Sequence, residues 1–251
     1  MLARSPADNG RGAMGLGRNP ADLAGEFGPD AYATWRATSL GTITEDIERR
    51  LILRLAGQLK GRALLDVGCG DGALTLACWQ NGASPVVGYD SDPRMIARAA
   101  ARAAQHKATI GYSVGRAETL PFRDRSFDLV TVITVLAFVP EPVSAVREIA
   151  RVLKPGGRLV IGDLGKWSLW AASRRLRGWF GAKMWHAAKF RSARELRALV
   201  EAAKLRVDHV SGAVYYPRSR FVARGMARID PALGELTTLG AAFIAVQASK
   251  S

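Results

Sequence analysis

"LLDVGCGDGALTL", residues 64–76, decides how this chain folds: an apolar run leads into Asp66 and then into three alternate glycines, Gly68, Gly70 and Gly72. A short apolar run that ends in glycines and continues into a helical pattern predicts a buried strand, a tight turn and a helix. Such a turn brings bare backbone N–H groups and the positive end of the helix dipole towards a ligand. We therefore predict a ligand-binding turn at the carboxyl end of this strand.

Further apolar runs follow the opening strand, and helical patterns separate most of them. Strands that alternate with helices predict a parallel sheet covered by helices on both faces, connected by right-handed crossovers. We predict an α/β fold with a doubly wound, mostly parallel sheet of seven strands, of which the last is antiparallel. The predicted strands span residues 63–67, 85–90, 108–114, 127–135, 158–164, 204–214 and 240–249.

Helix signals lie between these strands. Asp92 followed by Pro93 is typical of an N-cap with proline at the first helical position, and Ser192 with Glu195 forms a capping-box pattern. Upstream of the opening stretch, residues 32–59 show the apolar spacing of an amphipathic helix. Its apolar positions are Ile47, Leu51, Leu55 and Leu59.

Length and composition favour one globular domain. The 251 residues are 48% hydrophobic, and residues 1–24, rich in Gly, Asn, Pro and Arg, predict a disordered tail before a domain at 25–251. The sequence contains no apolar run long enough for a membrane span and no pattern typical of a secretory signal. We therefore expect the protein to be cytoplasmic. Cys69 and Cys78 are expected to be reduced thiols, and with only three histidines we expect no metal site.

Asp66 discriminates between two kinds of ligand. The spacing Gly68-x-Gly70-x-x-Ala73, with Asp90 about twenty residues further on, also fits a dinucleotide-binding fingerprint. A carboxylate directly beneath the turn would repel a pyrophosphate, but it suits a ligand that presents a positive amine there. The pattern therefore favours an amine-bearing nucleoside, and an NAD(P)-dependent oxidoreductase stays the alternative.

Four ordered motifs carry a family resemblance. They are "LLDVGCGDGALTL", "VVGYDSDPRMIARAAARA", "GRAETLPFRDRSFDLVTVITVLAFV" and "EPVSAVREIARVLKPGGRLVIGD", and the likeness covers residues 32–203. Together they resemble the class I S-adenosylmethionine-dependent methyltransferases, in the branch similar to ubiquinone/menaquinone-biosynthesis C-methyltransferases. The resemblance implies a Rossmann-like methyltransferase fold, S-adenosyl-L-methionine as cofactor, and methyl transfer to a small or lipophilic organic acceptor.

The resemblance also implies a set of cofactor-binding residues. Asp66 would accept from the α-ammonium of the cofactor, and Asp90 would accept from both ribose hydroxyls. The other implied positions carry the methionine and ribose (Gly68, Cys69, Gly70), line the adenine slot (Ser91, Met95), or face the reacting methyl (Thr134, Leu136).

The chain departs from the family after the third strand. Relatives usually read Gly-Asp-Ala-Glu there, with the Asp accepting from the adenine amine, whereas this chain has Arg116. Because arginine has no acceptor atom, we expect either Glu118 or the Ala117 backbone to hold the adenine. Lys204 also stands where relatives commonly have glycine, before the sixth strand.

A dedicated base is optional, because methyl transfer from a sulfonium mainly requires alignment of nucleophile, methyl and sulfur. If the acceptor needs one, His186, Tyr32 and Tyr215 are the candidates.

Residues 166–192, called here the lid segment, are basic and rich in tryptophan. The net charge of the chain is +14, and residues 166–194 hold eight cations and no acid. Three hypotheses stay open: a lid buried over the acceptor pocket, a peripheral contact of 166–194 with an anionic membrane, and a nucleic-acid surface. The third is disfavoured because no recognised RNA-binding module accompanies it. Arg116 and these cations also leave a non-catalytic cofactor-binding or nucleic-acid-binding protein as an alternative function. The apolar positions at helical spacing are Leu169, Ala172, Leu176 and Trp179.

Overall fold

The computed structural model describes residues 34–251, so the predicted tail and Tyr32 lie outside the described residues. Its centre is a seven-stranded sheet with the order β3-β2-β1-β4-β5-β7-β6. The strands are β1 (Leu64–Val67), β2 (Val86–Asp90), β3 (Gly111–Val114), β4 (Phe127–Ile133), β5 (Leu153–Leu164), β6 (Arg206–Ala213) and β7 (Phe243–Ser249).

The pairing of the strands confirms the predicted fold class. β1 pairs in parallel with both β2 and β4, while β7 lies antiparallel between β5 and β6. Leu64 is in register with Val86 on one side and with Leu129 on the other. The winding therefore reverses at β1, and ligands of open α/β sheets bind at such a reversal, beyond the carboxyl ends of the strands.

Nine helices of the described residues surround the sheet: α1 (Ser39–Ala56), α2 (Ala73–Gln80), α3 (Pro93–Gln105), α4 (Pro142–Val152), α5 (Leu169–Trp179), α6 (Lys183–Ala187), α7 (Ala193–Ala202), α8 (Arg220–Met226) and α9 (Asp230–Leu236). The predicted caps are present: the Asp92 side chain accepts from the Arg94 N–H, and Ser192 and Glu195 form the capping box. Between residues 34 and 251, no helix combines the length and apolar content needed to cross a membrane.

Successive side chains of β1 pack into two different hydrophobic cores, one on each face of the sheet. Leu64 packs in the cluster that contains Ile52 and Leu55 of α1, whereas Leu65 packs in the cluster that contains Ile149 of α4. Because alternate side chains of a strand point to opposite faces, a sheet covered on both faces needs this continuous apolar run.

Every strand differs from its predicted range at one end or both, and β5 begins five residues earlier than predicted, at Leu153. β4 ends at Ile133 rather than at residue 135, because Thr134 takes a left-handed φ of 60°. Lys204 has a φ of 59°, so the residue that replaces the family's glycine keeps a glycine-like turn.

The lid segment is tied to the sheet by a buried ion pair. The Arg191 Nη1 lies 2.9 Å from the Asp163 Oδ2, and the two residues are 7% and 0% exposed. The Arg191 N–H donates to the Leu164 carbonyl, and the Lys166 N–H donates to the Arg191 carbonyl. Both ends of the lid segment therefore meet at the end of β5.

The exposure of α5 bears on the hypothesis that the lid segment is buried over the acceptor pocket. Leu169, Leu176 and Trp179 are 67%, 52% and 83% exposed, so this stripe does not pack on the core. The buried face instead holds Trp170, whose Nε1 donates to the Tyr216 carbonyl at 2.7 Å, and Ala171. The predicted helix is present, and its direction, which the sequence left open, places Trp170 and Ala171 inward and the apolar stripe outward.

Candidate active site

The glycine turn after β1 uses its own amides. The Gly68 and Cys69 N–H groups both donate to the Tyr89 carbonyl, and the Gly72 N–H donates to the Cys69 carbonyl. The Gly70 N–H donates to the Asp90 carboxylate at 2.9 Å. The expectation of bare N–H groups at these four positions was therefore wrong. The Gly68, Cys69 and Gly70 amides fix the turn to β2, and the Gly72 amide closes the turn itself, so the four do not form a phosphate cradle.

Gly68 is required for steric reasons. Its φ is +71°, and a Cβ at this position would lie 2.0 Å from the Val135 Cγ2. No other residue type tolerates both the left-handed conformation and this approach. The turn can therefore bring main chain, without a side chain, to the groove between β1 and β4.

Asp66 lies beneath the turn at 2% exposure. One carboxylate oxygen accepts from the Thr75 hydroxyl at 2.6 Å and the other from the Thr131 hydroxyl at 2.7 Å. Burial raises the pKa of Asp66 to about 6, against the opposing effect of these two hydrogen bonds. Because a carboxylate offers about four acceptor positions, Asp66 keeps capacity for a cationic donor in the cavity that it lines.

Asp90 stands at the end of β2, one strand away. Its Oδ2 accepts from the Gly70 N–H and its Oδ1 accepts from the Asp92 N–H, both at 2.9 Å. Burial raises the pKa of Asp90, although these amides oppose the shift. The carboxylate is thus held in one orientation at the edge of the turn.

A cavity of about 200 Å³ lies beside Asp90. Ser91, Ala117, Glu118 and Thr134 line it, together with Gly68. Glu118, a candidate acceptor for the adenine, forms an ion pair with Arg116 at 2.8 Å. Arg116, which stands where relatives have Asp, therefore neutralises the charge of Glu118.

A second cavity of about 490 Å³ continues from the first. Gly68, Ile133, Thr134 and Phe138 line both, which makes them one groove across the carboxyl ends of β1 and β4. The larger cavity is also lined by the predicted residues Asp66, Cys69, Gly70 and Met95. Met95 therefore lies in the larger cavity, apart from Ser91.

Helix α1 and the residues before it supply contacts that the sequence prediction missed. The Arg36 guanidinium binds the Asp71 carboxylate at 2.6 and 2.7 Å and also pairs with Glu45. Arg102 of α3 reaches the same carboxylate at 2.6 Å. Asp71 of the glycine turn thus joins two separate elements at the wall of the cavity.

Two of the three predicted base candidates, His186 and Tyr215, do not reach the groove, and the third, Tyr32, lies outside the described residues. His186 is exposed on α6, and the Tyr215 hydroxyl donates to the Thr237 carbonyl. Burial raises the pKa of Tyr215 to about 12, and neither residue lines either cavity. Leu136, expected to face the methyl, is 1% exposed in the core. Its position after the left-handed Thr134 turns it away from the groove.

The far end of the larger cavity holds side chains that the sequence analysis did not single out as site residues. Glu48 of α1 faces Arg174 and Arg177 of α5 and Arg218 before α8, and Trp170 and Trp185 complete this wall. Within residues 34–251, no group of three or more His, Cys, Asp or Glu side chains could hold a metal ion.

Comparison with known proteins identifies the family to which this chain is similar. The family described as "Methyltransferase domain" (Methyltransf_11) matches residues 65–161. Ubiquinone biosynthesis O-methyltransferases of Idiomarina loihiensis and Xanthomonas oryzae pv. oryzae are each 32% identical over 170 and 175 residues. These stretches cover 65% and 66% of this chain and 70% and 73% of the relatives.

A solved structure shows the same fold. A methyltransferase from Thermotoga maritima, described as a possible histamine N-methyltransferase, superposes with a TM-score of 0.69 at 20% identity. The superposition covers 93% of this chain and 100% of that one. These comparisons give no support to an oxidoreductase or to a non-catalytic protein.

Proposed function

The chain belongs to the S-adenosylmethionine-dependent methyltransferases, and we propose that it methylates a small or lipophilic organic acceptor held in the larger cavity. One observation carries this proposal: Gly68 and Thr134 line both cavities. A cofactor on the glycine turn would therefore present its reactive carbon to the larger space.

The residues of the groove fit this cofactor. Asp66 and Asp90 offer carboxylate oxygens, which match an ammonium and two ribose hydroxyls. The amides of Gly68, Cys69 and Gly70 are already used, so the turn has little to offer a pyrophosphate. The donor set therefore favours an amino-acid-bearing nucleoside.

We assign the residues as follows. Asp66 would accept from the cofactor's ammonium, and Asp90, oriented by the Gly70 and Asp92 amides, would accept from the ribose. Ser91, Ala117 and Glu118 would surround the adenine in the smaller cavity. Cys69, Gly70 and Met95 would contact the methionine and ribose from the wall of the larger one.

The chain's task in the reaction is alignment. S-adenosylmethionine supplies an electrophilic methyl group on a sulfonium, which is a good leaving group. With the cofactor bound, the acceptor would gain the methyl group, sulfur would keep the electron pair of the broken carbon–sulfur bond, and the acceptor's proton would pass to bulk solvent after the transfer. Thr134 and Phe138, at the junction of the cavities, would hold the two reactants in line and exclude water.

Isothermal titration calorimetry with S-adenosylmethionine, S-adenosylhomocysteine and NADH tests the proposal. We expect saturable binding of the first two and no measurable binding of NADH. Preferential binding of NADH, or no binding of S-adenosylmethionine, would overturn it.

We also propose that residues 166–194 contact an anionic membrane surface. The exposed apolar side chains of Leu169, Leu176, Trp179 and Phe180 lie on a stretch of the chain that has no acids and that also carries the exposed cations Lys189 and Arg194. Apolar side chains flanked by cations favour the interface of anionic lipid.

Vesicle co-sedimentation tests this contact. We expect binding to phosphatidylcholine vesicles that contain phosphatidylserine, weakening with salt, and loss of binding in Trp179→Ala with Phe180→Ala. The matched control is Leu236→Ala, an equally exposed apolar residue of α9. Equal sedimentation of both variants, or none of the wild type, would refute the contact.

A further inference from the structure

Three guanidinium groups line one end of the larger cavity. Arg174 and Arg177 come from α5, and Arg218 comes from the segment between β6 and α8. Among the described residues, none of the three makes a hydrogen bond or an ion pair with another side chain. Arg191 and Arg36, by contrast, are fully paired with carboxylates.

Aromatic rings hold two of these guanidiniums in place. The Arg174 Cζ lies 5.2 Å from the ring centre of Trp170 and 4.7 Å from that of Trp185. The Arg218 Cζ lies 5.5 Å from the same Trp170 ring. Trp170 is itself fixed by its hydrogen bond to the Tyr216 carbonyl. Stacking occupies the faces of a guanidinium and leaves its N–H edges available, so these donors are pre-oriented at little entropic cost.

The pKa values of Arg174 and Arg218 reflect the closeness of these positive charges. Burial lowers the pKa of Arg174 to about 10, and both Arg177 and Arg218 add to this shift. Burial and Arg177 lower the pKa of Arg218 as well. Arginine stays charged at neutral pH, so the three guanidiniums repel one another, and Glu48 is the acid whose charge opposes this for Arg174.

The acids of the cavity do not balance this charge. Asp66 is engaged with two threonines, and Glu45 and Asp71 are engaged with Arg36. The remaining acid, Glu48, makes no hydrogen bond or ion pair with the described residues, and burial raises its pKa to about 8 despite the nearby Arg174. Three guanidiniums therefore share this part of the cavity with a single carboxyl, so positive groups outnumber negative ones.

We infer that the acceptor carries an anionic group, a carboxylate or a phosphate, which binds to Arg174, Arg177 and Arg218. This inference rests on the proposed function and specifies its acceptor. Guanidinium edges match the oxygens of both groups in a bidentate manner. The rest of the acceptor would be apolar or aromatic, because Ile52, Phe138 and Trp185 line the space between the arginines and the glycine turn.

Four benzene derivatives of similar size test the inference on the wild-type protein saturated with S-adenosylhomocysteine. They are benzoate, phenyl phosphate, benzyl alcohol and benzylamine, with binding followed by calorimetry and by tryptophan fluorescence. We expect at least one of the two anions to bind at least tenfold more tightly than the alcohol and the amine, and to weaken with added salt. The order of benzoate and phenyl phosphate identifies the preferred group. Equal or tighter binding of the alcohol or the amine would overturn the inference.

Variants locate the site of binding. We expect Arg174→Gln with Arg218→Gln to weaken the preferred anion at least tenfold and to leave affinity for S-adenosylhomocysteine within twofold. The control is Arg197→Gln, whose side chain pairs with Glu201 on α7 and lines neither cavity. Unchanged anion affinity in the double variant would refute the inference. If the wild-type protein does not bind S-adenosylhomocysteine at all, the proposed function itself is refuted.

Discussion

The two ends of the groove treat their charges in opposite ways. At the glycine turn, Asp66, Asp71 and Asp90 are all held by hydrogen bonds or ion pairs from the protein. At the lid end, Arg174 and Glu48 lack such partners among the described residues. Groups that are satisfied by the protein fix the shape of a site, whereas groups left unsatisfied at a cavity wall are free to bind a ligand. The cofactor end is therefore pre-built, and the acceptor end is completed by what it binds.

The largest effect is expected where the lid end is attached to the sheet. Asp163→Asn removes one charge of the buried pair with Arg191, and a buried charge without its partner costs about 3–5 kcal/mol. We expect the free energy of unfolding, measured by urea denaturation, to fall by about this amount. In the control Lys166→Gln, which breaks the more exposed pair with Glu195, the expected loss is below about 1 kcal/mol. Similar losses in both variants would contradict the anchoring role of Asp163.

The next effect concerns the cofactor end. Asp66→Asn keeps the size of the side chain but removes the charge, so a charge-assisted hydrogen bond of about 1.5–3 kcal/mol is lost. We expect affinity for S-adenosylmethionine, measured by calorimetry, to fall by roughly 10- to 150-fold. Asp128→Asn is the control, because Asp128 binds the Ala63 N–H and Lys154 and lines neither cavity. An unchanged affinity in Asp66→Asn would remove the assigned role of this carboxylate.

The pH dependence sharpens the same point. Burial raises the pKa of Asp66 to about 6, so the protonated form is favoured in the free protein below that pH. A bound ammonium favours the ionised form, and its own pKa is near 7.7. Affinity for S-adenosylmethionine should therefore rise about tenfold between pH 5 and pH 7. The profile of Asp66→Asn should lack this rise, and a wild-type profile that is flat over this range would exclude Asp66 as the partner.

Without cofactor, the same carboxyl changes stability in the opposite direction. The pKa of Asp66 in the folded protein lies above its value in the unfolded chain, so protonated Asp66 stabilises the folded state. That contribution is lost as the pH rises from about 4 to about 6. We expect the thermal denaturation midpoints of the wild type and of Asp66→Asn, measured across this pH range, to become equal at its acidic end. A constant difference between the two would contradict the raised pKa.

The smallest effect is expected at the adenine end. Arg116→Ala breaks a partly exposed ion pair and releases Glu118 as an acceptor. Exposed pairs contribute about 0–1 kcal/mol, so we expect affinity for S-adenosylmethionine to change less than about fivefold. Arg206→Ala, which breaks the Arg206–Asp208 pair on β6, controls for the loss of one surface charge. A loss of more than tenfold in Arg116→Ala alone would show that Arg116 itself contacts the cofactor.

The fold and the cofactor end could be predicted from local sequence because their signals are local. The apolar run, the glycines and Asp66 lie within thirteen residues, and Asp90 ends the next strand. The use of the turn amides could not be predicted, because it depends on where the Tyr89 carbonyl lies after β2 has paired with β1.

The acceptor end was harder to predict for two physical reasons. Glu48 and Arg218 are 170 positions apart, and only the sheet order brings them to one cavity. The apolar stripe of α5 defines a face but not its direction, and burial of the larger Trp170 turned that stripe outward. Helices α8 and α9 were not predicted, because each spans only seven residues and gives too short a pattern to recognise.

The place of β7 in the sheet affects the order in which the protein can be completed. β5 and β6 are both translated before β7, yet each pairs with it and not with the other. Until Phe243–Ser249 has left the ribosome, the nascent chain exposes the buried edge of β5 and has no neighbour for β6. Unpaired edges of this kind are where chains associate wrongly, so incorrect association is most favoured in the interval before β7 pairs with β5 and β6.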